Sequence, residues 1–212
     1  MIKYQIEKCS GRVNMRFLKD NSYNIIKLYI NQLGISIFSL LLYSSVATMK
    51  NEKLSLELTV GISVFAILFY FALIYTAAWD IGASDIIKIE SGRMKSQKYK
   101  GALLALFANV ANIVLAGICV VAMLLYMNGT EGAIGFSQVA NLILRLTDAM
   151  HIGVLQGAFR AFSEDANMYN LLQSCGFLAA PILAVLVTHL GYVLGMKNFK
   201  IFQSSKKAKK NK

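Results

Sequence analysis

The polar side chains set deepest in apolar sequence are Asn109 and Asn112, in LFANVANIVLAG, and His189, in LAVLVTHLGYVLG. On a helix, asparagines three residues apart share a face. Amides in such a setting do one of two things. They hydrogen-bond a neighbouring helix, each for about 0.6 kcal/mol and at most 1–2, or they line a path for a small polar solute. His189 stands alone among apolar neighbours. It is either a packed imidazole or a third polar group on such a path.

Acid–base and metal chemistry have little to work with. His151 follows Asp148 by three residues, and Glu164 and Asp165 lie downstream. Zinc needs three or four ligands at recognisable spacing, and the chain has only two histidines. Its three cysteines, Cys9, Cys119 and Cys175, form no C-x-x-C pair. Ser174 has no evident base beside it. No H-E-x-x-H, G-x-S-x-G or glycine-rich phosphate loop occurs. An enzyme is therefore not expected, and neither a catalytic site, a metal nor a cofactor is assigned.

Small residues follow a clearer pattern. Gly176, Ala180, Ala184 and Thr188 recur every fourth position, and Gly191 and Gly195 make a GxxxG. Such rows let apolar helices approach closely, inside the molecule or against a partner. Pro181, the single proline, falls within this row.

The elements that carry these residues are set by the distribution of charge. Charged residues are 16% of the 212, against about 25% in ordinary soluble domains. Long charge-free runs lie between Lys27 and Lys50, Glu57 and Asp80, Lys100 and Glu131, and Asp165 and Lys197. About 20 apolar residues in a helix cross a bilayer core, so each run is long enough. Spans are expected at about 28–48, 56–79, 102–127 and 171–196. Runs such as ISVFAILFYFALIY lack the alternation of a barrel strand. The expected fold is an all-α integral membrane protein, a four-transmembrane-helix bundle over 28–196. A basic segment, 1–27, precedes it and a basic tail, 197–212, succeeds it. Residues 137–150 add an amphipathic helix between the third and fourth spans. Val139, Leu142, Ile143, Leu146 and Met150 form one face; Gln138, Asn141, Arg145 and Asp148 form the other. It is expected on the extracytoplasmic surface or as a cap, with Arg145 and Asp148 paired. For residues 151–162 a re-entrant loop is the alternative.

Loops rich in Lys and Arg stay cytoplasmic. Residues 1–27, 80–100 and 197–212 hold 18 of the 22 basic residues. Both termini are thus expected inside the cell membrane. This asymmetry also explains the net charge of +11, so nucleic acid is not an expected partner. The tail Lys206-Lys207-Ala208-Lys209-Lys210-Asn211-Lys212 suits anionic inner-leaflet lipids, at about 1 kcal/mol per basic residue near the surface.

Between the second and third spans, Trp79, Gly82 and Asp85 are succeeded by Gly92-Arg93 and then Lys98, Lys100 and Gly101. This W-x-x-G-x-x-D and K-x-K-G pattern resembles that of uncharacterised small multi-span integral membrane proteins of Gram-positive bacteria. The resemblance covers about a tenth of the chain. It implies a bacterial membrane setting and no mechanism. Trp79, Gly82, Asp85 and Arg93 are expected on a cytoplasmic elbow that orders the chain or docks a partner. With no charge expected deep in a span, the function expected is a non-enzymatic subunit of a transport or envelope complex. The alternative is a self-contained oligomeric transporter or channel using Asn109, Asn112 and His189. A homo-oligomer or a membrane protein partner is expected in either case.

Overall fold

A computed structural model describes residues 2–130, 132–160, 162 and 165–199, with side chains from residue 17 onward. The Cys9 side chain, Glu131, Glu164 and the lysine-rich tail lie outside the described residues. Helices α1 (Ile2–Val46), α2 (Glu52–Glu90), α3 (Lys100–Met127) and α6 (Ala166–Met196) each carry a stretch long and apolar enough to cross a membrane. No strand occurs among the described residues. The chain is a multi-pass membrane protein built as a four-helix bundle, as its charge-free runs imply.

The helices overrun the expected spans. The backbone of 2–27 continues α1 instead of forming a separate segment. Helix α2 does not stop at Trp79. It runs eleven residues further, to Glu90, and at 1.5 Å per residue is about 58 Å long. The turn expected after Trp79 is therefore absent, because Gly82 is tolerated inside a helix that packs on both sides of it. The true turn is Ser91–Tyr99, where Gly92 takes φ +71° and Arg93 is exposed. Side-chain caps open two helices: Asn51 accepts from the Leu54 amide at 3.2 Å, and Asp165 from that of Asn167 at 3.0 Å.

Small residues close the bundle at the end that carries the 91–99 turn, the basic end. A Cβ on Gly82 would strike the backbone of Tyr192 and Met196; one on Gly195 would strike the backbone of Trp79. A Cβ on Gly191 would lie 2.7 Å from the Tyr75 carbonyl. The GxxxG of α6 thus faces α2. Ala180 and Ala184 are buried in the same helix, and Gly176 backs onto Leu155 and Phe159. The row serves packing within the chain. The indole of Trp79 donates to the Phe199 carbonyl at 2.8 Å, tying the exit of α6 to α2.

Between α3 and α6 the chain makes a second hairpin, of two short helices. Helix α4 (Ala133–Thr147) descends along α3, and a tight turn at Ala149–His151 leads into α5 (Ile152–Arg160). The descent is fixed by contacts: Cys119 lies 3.7 Å from the Ser137 carbonyl, and Ala116 packs with Ala140 and Leu144. The expected surface position of this helix is corrected. Its apolar face, with Phe136, Val139, Leu142 and Leu146 all more than half exposed, points away from the bundle. Its small residues Ala133, Ser137 and Ala140 point in, with Leu144. A helix whose outer neighbour is lipid keeps its large apolar residues outside, the reverse of a helix lying on a soluble core. Met150, expected on the apolar face, is instead fully buried at the tip.

Candidate functional site

The tip of the α4–α5 hairpin lies in the middle of the bundle. Ser36 and Gln32, which touch it, stand ten and fourteen residues inside the end of α1 at Val46, or about 15 and 21 Å along the helix. A hydrocarbon core is about 30 Å thick, so this is mid-depth. Span hydroxyls hold the tip by its freed carbonyls. Ser36 donates to the Thr147 carbonyl at 2.8 Å, and Ser63 of α2 to that of Met150 at 2.8 Å. Tyr43 reaches Ser63 at 2.7 Å. Gly153 lets α5 lie against α2, since a Cβ there would strike the Thr59 carbonyl.

The side chain at the centre is Asp148, 1% exposed. Its Oδ1 takes the Gln32 amide at 3.2 Å and stands 3.0 Å from His151 Nδ1. Tyr70 of α2 is close enough to feel the Asp148 charge and within reach of Asn109 on α3. One face of the site is therefore α1, one α2 and one α3, with the charge supplied by the hairpin. No charge was expected deep in a span, and Asp148 reaches mid-depth on the hairpin instead. Asp148 falls outside every long apolar run, and only the fold carries it inward. The expected Arg145–Asp148 pair does not form: Arg145 turns to Asn141 and to Gln173 of α6, and Asp148 to α1.

Several polar atoms around the tip have no hydrogen-bond partner among the described residues. They are Asp148 Oδ2, Gln32 Oε1, His151 Nε2 and both side-chain atoms of Asn112. A buried, unsatisfied polar atom costs about 1–3 kcal/mol. A set of them at mid-depth is costly for packing alone.

The other expected site residues divide. Asn109 belongs to the tip region through Tyr70, with its amide also donating to the Ala105 carbonyl at 2.9 Å. Asn112 is buried one turn from Ala116, which belongs to the same apolar cluster as Ala149 of the tip. His189 is not with them. It stacks on Tyr99 at 6.2 Å, and its Cα faces Gly101 in the first turn of α3. In the sequence, Gln32 stands out only as an early polar residue of the first span. The Asp148-x-x-His151 pair is visible there, but its spacing suggests no more than a poor metal site.

At the basic end, Trp79, Gly82 and Asp85 are helix residues at the α2–α6 contact and not part of an elbow. Asp85, 1% exposed, meets Lys100 Nζ at 2.7 Å and accepts the Tyr192 hydroxyl at 3.2 Å. Gly101 packs against the Tyr192 ring. Trp79, Gly82, Asp85, Lys100 and Gly101 of the two patterns thus lie at one junction of α2, α3 and α6, while Lys98 is exposed in the turn. Searches with protein-family models, among curated proteins and among solved structures return no match to the chain.

Proposed function

We propose that this protein is a membrane transport protein that handles a small cation, a proton or an alkali ion, at the hairpin tip. The observation that carries the reading is Asp148: a carboxylate at mid-depth whose second oxygen is unpartnered among the described residues, as is the Oε1 of Gln32, the amide that donates to its first. Ionisable groups inside membrane bundles mark ion and proton pathways. Interrupted helices whose ends meet at mid-depth are where transporters hold their coupling ions. His151, on the other side of Asp148 Oδ1, supplies a second proton-exchanging group. The subunit reading rested on the lack of charge at depth, and Asp148 removes that ground. Under the charge rule the basic end is the cytoplasmic side, so the hairpin enters the bundle from the outer side; the 79–101 resemblance supports a bacterial cell membrane.

The test is flux. Purified protein is placed in liposomes holding a pH dye or a sodium dye, and a membrane potential is imposed. Protein-dependent uptake of one of the two cations is expected. Asp148→Asn and Asn112→Leu should each cut it at least about tenfold, equivalent to 1.4 kcal/mol, in protein whose unfolding temperature is kept. Neither cation moving, or Asp148→Asn performing as the native chain, would sink the reading.

A further inference from the structure

Arg145 is the second charge that the hairpin carries inward, and among the described residues no acid pairs with it. Its Nε donates to Asn141 at 3.2 Å and its Nη2 to Gln173 at 2.8 Å. Those are neutral oxygens, which orient a guanidinium without neutralising it. The ion pairs among the described residues are Asp85 with Lys88 and Lys100, and Asp148 with His151; none includes Arg145. Gln173, fully buried, leaves its own Nε2 without a partner there. A half-buried cation in a membrane bundle is costly unless an anion or water reaches it.

An opening leads to it. A groove of about 270 Å³ runs between α3, α4 and α6, walled by Met123, Ser137, Gln138, Asn141 and Asn170, with Arg145 along it. A second cation stands near: Tyr169, in the first turn of α6, feels both Arg145 and Arg160. Arginine offers five N–H donors in a planar fork, of which two are engaged. That fork fits a carboxylate or phosphate through paired hydrogen bonds. We propose that this groove binds a small oxyanion, a carboxylate or a phosphate group, on Arg145. The group comes from a soluble solute or from a lipid headgroup. The site is independent of the cation reading: Arg145 turns to α6 and Asp148 to α1.

The full chain is purified in an uncharged detergent. Its unfolding temperature is followed with inorganic phosphate and with butyrate, each against chloride at equal ionic strength. In parallel, nanodiscs of phosphatidylcholine, with and without phosphatidylglycerol, are used to count retained lipid by native mass spectrometry. A saturable rise in unfolding temperature with phosphate or butyrate, lost in Arg145→Gln, identifies a soluble oxyanion. One phosphatidylglycerol retained per chain, and lost in Arg145→Gln, identifies a headgroup. If Arg145→Gln does not fold, Gln138→Leu with Asn170→Leu narrows the groove, keeps the cation and takes its place in both assays. No difference between native and variant protein in either assay overturns the proposal.

Discussion

Asp85 and Lys100 show what a buried ion pair does at the edge of a membrane bundle. Both side chains are almost wholly enclosed, and Tyr192 completes the carboxylate's hydrogen bonds from α6. Removing Lys100 leaves the buried carboxylate only the half-exposed Lys88, 3.7 Å away, and breaking a buried pair costs about 3–5 kcal/mol. Lys100→Met is therefore expected to destabilise the protein by that amount in a denaturant titration. The double variant Asp85→Leu with Lys100→Met should recover most of the loss. Equal instability of single and double variants would mean that the pair is not the source. The residue pattern around this junction was legible in the sequence, but its meaning was not. Spacing shows that Gly82, Asp85 and Gly101 flank one loop. It does not show that all three face Tyr192, a residue of the last helix. Asp148 was hidden for a similar reason. Hydropathy weighs a residue by its neighbours in the chain, and those of Asp148 include Arg145, Thr147 and His151.

Helices were easier to read than their ends. Charge-free runs mark what lipid must cover, so four apolar helices could be read from them. They do not mark where a helix stops, because a helix continues into water at little cost; α2 does so through the exposed Asp80, Lys88 and Glu90. The hairpin was the harder case. A helix with one apolar face has the same pattern whether that face meets a core or lipid, so the pattern of α4 does not say which way round it sits. The sign that could have decided it was the small-residue row Ala133, Ser137, Ala140 on the other face. The α2–α6 contact is as demanding. Gly195→Val puts a branched side chain where the Trp79 backbone already lies. It should lower the unfolding temperature strongly, whereas Gly34→Ala, with open space around it, should change it little. Similar stability of the two variants would mean that α2 and α6 do not approach as described.

For the molecule as a whole, charge asymmetry is the property that sets direction. Residues 1–27, 80–100 and 197–212 hold 18 of the 22 basic residues, so the end that carries the 91–99 turn should face the cytoplasm. Cys9 tests this without any substitution. A membrane-impermeant thiol reagent should fail to label it in intact cells and should label it after lysis; labelling in intact cells would reverse the orientation. The hairpin also has a history written into the chain order. The groups that receive its tip, Gln32, Ser36 and Ser63, all precede residues 133–160. Synthesis runs from the N-terminus, so the receiving hydroxyls and amide are made before the broken backbone that needs them. Helix α6 is made after the other described helices, and its glycines pack onto a surface that α2 already presents. During biogenesis, then, the hairpin's exposed carbonyls meet waiting donors and not bare hydrocarbon.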